Sequence, residues 1–352
     1  MNERMREKLL WMWGHPQEGG VYYSANGAET ASGRLNGMAC WDWTPYRTQG
    51  VEYPISTAIF PWMFGCEKVV TSTGTPWLKP MLHSVRDFRE LRMPDIGEGI
   101  PREILEAARA QAEGLAPHEL VRCMDVQSPL GILELMGGEA FYTMLVEEPE
   151  AIHGALQKIT DFQCVFLAEF QRVLRGKYNP CGFPPVYQEG EGIMVADDTM
   201  SLVSPAMHRE FSVTYLNQLA DRVGPLYYHS CSWSEPYFEN ILAIRNVKGY
   251  NWNPGDSVDA AVITKAFAGK GVLALHLCAG MHRDKRVLAW GREFADEFEF
   301  FKYIVESAPP NATFYFWFSN IRERKGPLEK IYDFLHGRGQ TPETKCLYSA
   351  LT

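Results

Sequence analysis

The feature that most limits the fold of this chain is the alternation in its second half. Short apolar runs recur there, each followed by a polar loop and then by a segment of helical periodicity. Ile193–Ala196 reads as a strand, and Ser204-Pro205 opens a helix to about Val223, with serine at the cap and proline just inside it. Leu226–His229, Gly249–Trp252, Val272–Leu277 and Thr313–Phe318 read as further strands. The helices after them are expected at Pro236–Arg245, Val258–Phe267, Arg286–Ser307 and Leu328–Phe334. Strands alternating with helices predict a parallel sheet. There are enough units to close a (β/α)8 TIM barrel. The rival is an open doubly wound sheet, weakened by the lack of a GxGxxG after the first strand and of a P-loop.

The first half is less regular. Residues 2–13 suit a short helix. Residues 15–60 are rich in Gly, Pro and aromatics, and are expected to form an irregular N-terminal cap with one strand near Met38–Trp43. Cys66–Ser72 and Leu120–Val126 read as strands. Val85–Arg92 and Arg102–Gly114 read as helices, as does a block from Ile132 to Leu174 broken at Glu148-Pro149. The expected organisation is a cap over residues 1–60 and a barrel over 61–345, a length that one barrel fills.

Composition narrows the function. A net charge of −9 argues against nucleic acid or an anionic membrane surface as partner. The 8 cysteines are scattered with no CxxC, which is not a disulfide framework in a chain this long. The stretch MNERMREKLLWMWG does not read as a signal peptide, and no apolar run approaches the ~18 residues of a membrane span. These readings predict a reduced, cytoplasmic protein that handles a small molecule.

Barrel enzymes carry their chemistry at the C-terminal ends of the strands. That filter selects Asp197 and Asp198, then His229, Ser230 and Cys231, then Asn253 and Asp256, then His276, Cys278 and His282, then Ser319 and Asn320. His229 and Cys231 are the sharpest pair. Residues i and i+2 of a strand point the same way, and an imidazole beside a thiolate suits Zn²⁺. The same spacing also fits a buried cysteine beside a satisfied core histidine. His276 and Cys278 repeat it on a later strand. Of the neighbours Asp197 and Asp198, only one can face the mouth, where a carboxylate could take a proton, bind a cation or orient a ligand. Glu189–Gly192 reads as an acidic turn, and His208 as a surface or packing residue. Asp42, among aromatics, is a candidate for lining the pocket from the cap side.

Two blocks carry a family resemblance. Asp125–Phe170, with SPLGILELMGG and EEPEAIHGALQKITDF, resembles the uroporphyrinogen decarboxylase superfamily. So does Ala196–Cys231, with ADDTMSLVSPAMHREFSVTYLNQLAD followed by YYHSCS. The resemblance implies a (β/α)8 barrel. The arginine-bearing MRQAGR signature of true decarboxylases is not found, and their branch lacks the His-x-Cys. The resemblance is therefore closer to the zinc-dependent methyltransferases that work with corrinoid proteins. In that branch a His-x-Cys pair and a later cysteine hold Zn²⁺, which implies His229 and Cys231 as ligands. The later cysteine is not at its usual place here. Cys278 is the nearest substitute, with His276, Asp198 or Glu191 as other options. The implied activity moves a methyl group between a methyl ether or thiol and a cobalamin-type corrinoid carried by a partner protein. Asp198 is then the candidate catalytic residue, with Asp197, Asn253, His276 and Asp42 as candidate substrate contacts. The alternatives are a metal-free decarboxylase acting through Asp198 and a non-catalytic corrinoid- or tetrapyrrole-binding barrel. The oligomeric state stays open, a homodimer being one option.

Overall fold

The computed structural model describes residues 3–25, 57–70, 76–115, 120–180, 188–276, 282–283, 286–318, 330–331, 333–335 and 337. Seven strands share one parallel sheet. They are β1 (Gly20–Ala25), β2 (Val126–Gln127), β3 (Ile193–Ala196), β4 (Leu226–Ser230), β5 (Val247–Trp252), β6 (Val272–His276) and β7 (Thr313–Phe318). From β2 onward each strand pairs in parallel with the next one along the chain, and β7 then pairs with β1. A last strand that returns to the first is the winding of a (β/α)8 barrel, not of a doubly wound sheet. The expected α/β barrel class is therefore the one observed. Among the described residues, no strand links β1 to β2.

Strands β3 and β4 are buried along their whole length, because side chains fill one face and helices cover the other. Alternation sorts their residues. Met194, Tyr227, Val272, Ala274 and Tyr315 join Tyr22 inside the barrel, while Val195, Tyr228 and Tyr250 pack under the helices. The helix Glu3–Gly14 plugs the inside at one end with Leu9, Met12 and Trp13. The Trp13 ring meets Tyr227 edge to face with centroids 5.0 Å apart. It also lies over Gly249, where a Cβ would come within 2.9 Å of it. Tyr227 and Gly249 stand near the starts of their strands. The plug thus closes the N-terminal end and leaves the C-terminal end as the mouth.

The outer layer is built on ordinary caps and apolar stripes. Ser128 and Ser204 each accept a bond from the backbone three residues on, with proline in the first turn of the helix that follows. The helix Pro149–Val173 buries Ile152, Leu156, Ile159, Phe162 and Phe166, and Phe60 packs edge-on against the last two. Gly192 enters β3 at φ 107° with Pro225 O only 2.1 Å from where a Cβ would sit, so only glycine fits there.

Four sequence expectations are corrected. Arg286–Ser307 is not one helix. Arg286–Ala289 and Arg292–Phe294 pair as an antiparallel hairpin, His282–Arg283 adds a third strand, and only Glu297–Ser307 is helical. The reason is the Trp290-Gly291 corner, where both residues take positive φ (56° and 69°) and so turn the chain back. Glu67–Val70 is a strand, but it pairs antiparallel with Pro76–Lys79 outside the barrel sheet. The run read as one strand over Leu120–Val126 splits, with Val121–Arg122 pairing Tyr178–Asn179 and only Val126–Gln127 entering the barrel. The stretch read as an irregular cap contains β1, so the barrel begins before residue 60. The strand expected near Met38–Trp43 lies outside the described residues. Among those described, no helix is long and apolar enough to cross a membrane.

Candidate metal centre at the barrel mouth

Ala196 pairs with His229 at the ends of β3 and β4. The alternation that turns Met194 and Tyr227 inward also carries Asp198, His229 and Cys231 toward the mouth. Their side chains converge. His229 Nε2 lies 3.5 Å from Cys231 Sγ and 3.7 Å from Asp198 Oδ1. One ligand atom from each of the three residues lies within 4.8 Å of the others. Asp198 Oδ1 also accepts the Cys231 backbone N–H at 2.7 Å, which holds the two loops together. An imidazole nitrogen, a thiol sulfur and a carboxylate oxygen in this arrangement form a three-ligand set of the kind that leaves a fourth position for substrate.

A partner behind His229 determines which of its nitrogens faces the set. Asn251 stands opposite His229 in the β4–β5 register. Its Nδ2 donates to Ala274 O at 2.6 Å, which turns its Oδ1 toward His229 Nδ1. Nδ1 must then carry the proton and donate to Asn251, and the Nε2 lone pair faces Cys231 and Asp198. This is how a second residue orients a metal-binding histidine.

The electrostatics favour a cation. Partial burial of the sulfur, with Asp198 and then Asp256 and Asp125 nearby, pushes the Cys231 thiol up to about 12. Without a cation it stays protonated at neutral pH, and metal binding must displace that proton, so affinity rises with pH. In zinc-free protein at pH 8, iodoacetamide is expected to alkylate Cys231 at least ~100-fold more slowly than a free cysteine, since the shift cuts the thiolate fraction about a thousandfold. Mass spectrometry of the Cys231 peptide measures this. Alkylation at the free-cysteine rate would show that the sulfur is not in this environment.

Asp197 faces the other way. It is fully buried behind the sheet. It accepts hydrogen bonds from Ser128 Oγ (2.6 Å), Ser212 Oγ (2.8 Å), His208 Nε2 (2.9 Å) and Tyr228 Oη (3.2 Å). Burial alone would raise its pKa, but His208, Ser128 and Ser212 outweigh it and hold the carboxyl below its ordinary range. Asp197 is thus remote from any substrate at the mouth, which corrects the expected contact role. His208 is fully buried against it, so of its surface and packing readings the packing one holds. Neither outcome was legible locally, because both depend on which helix covers β3.

The other sequence candidates fall as follows. Asn253 is half-buried just past β5, with its N–H on Cys231 O at 3.2 Å and its side chain bound to Gly255 and Asp256 within its own turn. His276 closes β6, and its side chain lies outside the described residues, as do Cys278 and Asp42. Glu191 is exposed in the turn before β3, at the end of the strand away from the mouth. Asn251 was missed by sequence reasoning. Its signal was a polar residue in the buried second half of its strand, two positions before Asn253.

Residues 42–173 match the family model described as uroporphyrinogen decarboxylase (URO-D). Over this span, less than half of the chain, it is similar to the uroporphyrinogen decarboxylase family. The block Asp125–Phe170 lies within the matched span, and Ala196–Cys231 lies beyond it. Uroporphyrinogen decarboxylases from strains of Coxiella burnetii are 23% identical over 185 residues, covering 49% of this chain and 46% of theirs. The match thus spans about half the length of these curated relatives. Among solved structures, a methyltransferase from Methanosarcina mazei superposes with a TM-score of 0.55 over 79% of this chain and 78% of that one, at 13% identity. That likeness concerns the fold, and it agrees with the barrel winding described above.

Proposed function

We propose that this protein is a zinc-dependent methyltransferase that moves a methyl group between a small methyl ether or thiol and a corrinoid protein. The observation that carries the reading is the convergence of His229, Cys231 and Asp198 at the open end of the barrel. The donor set fits zinc: one nitrogen, one sulfur and one oxygen, with the imidazole tautomer set by Asn251. His229 Nε2, Cys231 Sγ and Asp198 Oδ1 would hold the ion, and Cys278 is the other candidate for the third place. When bound, zinc supplies a Lewis acid that keeps a thiol as thiolate or polarises an ether oxygen.

The chain's own residues do the rest. The plug of Leu9, Met12 and Trp13 closes the far end, so substrate and corrinoid must share the mouth. Asp125 and Asp256 add negative potential at Cys231 and disfavour an anionic ligand, such as a polycarboxylate tetrapyrrole, beside the sulfur. Asn253, tied to Cys231 O, and His276 at the end of β6 are positions for substrate contacts. Scattered cysteines with no disulfide framework fit work in the cytoplasm.

The test is methyl transfer by zinc-loaded protein, with methylcobalamin as donor and a panel of thiols as acceptors, and in reverse with cob(I)alamin and methyl ethers. Zinc-dependent transfer in either direction is expected, read from the corrinoid's visible spectrum. The match to the decarboxylase family model keeps a second reading, a metal-free decarboxylase using Asp198. Decarboxylation of an acidic tetrapyrrole with no methyl transfer would replace the first reading by the second. Tight cobalamin binding with neither activity would make this a non-catalytic carrier.

A further inference from the structure

We propose that Asp197 and His208 are the positioning pair of the metal centre, an inference that rests on reading Asp198, His229 and Cys231 as ligands. Asp197 is the residue between the end of β3 and Asp198. Its own N–H donates to His229 O at 2.8 Å, so the peptide units that carry the oxygen and nitrogen ligands are both tied to it. Its side chain is clamped from three elements. Ser128 comes from the end of β2, where its own N–H donates to Ala196 O at 2.7 Å. Tyr228 comes from β4, next to His229. His208 and Ser212 come from the helical stretch after β3.

That stretch is built for the purpose. Pro205–His208 is α-helical, Arg209–Val213 is a π-turn, and Thr214–Val223 is α-helical again. The wide turn brings residues 208 and 212 to the same carboxylate oxygen, and such turns are disfavoured unless something holds them. His208 is itself aimed. Asn240 Nδ2 donates to Pro205 O at 2.7 Å and approaches His208 Nδ1 at 3.2 Å, so Nδ1 accepts and Nε2–H donates to Asp197. An apolar residue could pack β3 to this helix without the cost of burying a carboxylate. What the carboxylate adds is direction: with Asp197 held from behind, the next residue must turn to the mouth and the His229 carbonyl cannot slide along the sheet.

The experiment measures zinc affinity by competition with a chromophoric chelator, and the visible absorption of the cobalt(II)-substituted protein. The variants are Asp197→Asn and His208→Gln, with Leu133→Ala as a buried core change that removes none of the network's hydrogen-bonding groups. Both network variants are expected to bind zinc ~10–100-fold more weakly and to change the cobalt spectrum, the usual range for a residue that orients a ligand. Leu133→Ala is expected to lower the melting temperature and leave both readings alone. Network variants that fold and match the wild type in affinity and spectrum overturn the proposal, as does Leu133→Ala weakening zinc equally. If Asp197→Asn does not fold, the double change Ser212→Ala with Tyr228→Phe removes two donors and keeps the carboxylate. Weaker zinc binding there supports the pair, and unchanged binding overturns it. A wild type that binds no zinc overturns the metal reading and the pair with it, whereas a wild type that binds beside variants that bind equally overturns the pair alone.

Discussion

Cys231→Ala is expected to lower zinc content from about one equivalent to less than a tenth, a loss of affinity on the order of a thousandfold. The sulfur is the softest donor of the set, and its proton is the one that zinc must displace. His229→Ala is expected to do the same, because Asn251 presents its Nε2 directly to the other two donors. Asp198→Asn should weaken binding less, since an amide oxygen still coordinates while the charge is gone. The comparison with Cys278→Ala decides the third ligand. If Asp198 holds that place, Cys278→Ala keeps its zinc. Metal analysis of the purified variants measures all four. Cys231→Ala protein with full zinc would end the metal reading.

Trp13→Ala is expected to cost about 3–5 kcal/mol of folding stability. The ring is 6% exposed, fills the N-terminal end of the barrel, and touches both Tyr227 and the bare backbone at Gly249. Gly249→Val attacks the same contact from the other side and should cost about 1–3 kcal/mol by overpacking. The two changes share one space, so their effects should not add. Urea unfolding measures both. Zinc affinity of the folded variants should stay at the wild-type value, because the plug and the ligands stand at opposite ends of the barrel. A loss under 1 kcal/mol for Trp13→Ala would mean that the helix Glu3–Gly14 does not seal the barrel.

Much of this architecture was legible because its signals are local. Period-2 and period-3.6 patterning located β3 at Ile193–Ala196 and β7 at Thr313–Phe318 at the residues observed. The Ser-Pro signature located the helix start at Pro205, because the cap needs only its own next three residues. The errors fall where local pattern is shared between outcomes. The residues after Arg286 repeat apolar groups in a way that suits a helix, until the Trp290-Gly291 corner folds them into a hairpin. β1 was hidden because its six residues, Gly20–Ala25, sit in a glycine- and aromatic-rich stretch and are recruited by β7, nearly 300 residues away in the chain.

The candidate site divides along the same line. The i, i+2 spacing of His229 and Cys231 and the adjacency of Asp197 and Asp198 already required that the first two share a face and that the second two oppose each other, since side chains alternate along extended backbone. Which aspartate faces the mouth depends on the pairing of Ala196 with His229, and register between strands is set by contacts across the sheet. The same register brings Asn251 behind His229, and the helix covering β3 brings His208 and Ser212 behind Asp197. Residues 11 to 69 positions apart meet there because neighbouring strands and the covering helix pack together, and no local propensity encodes that packing.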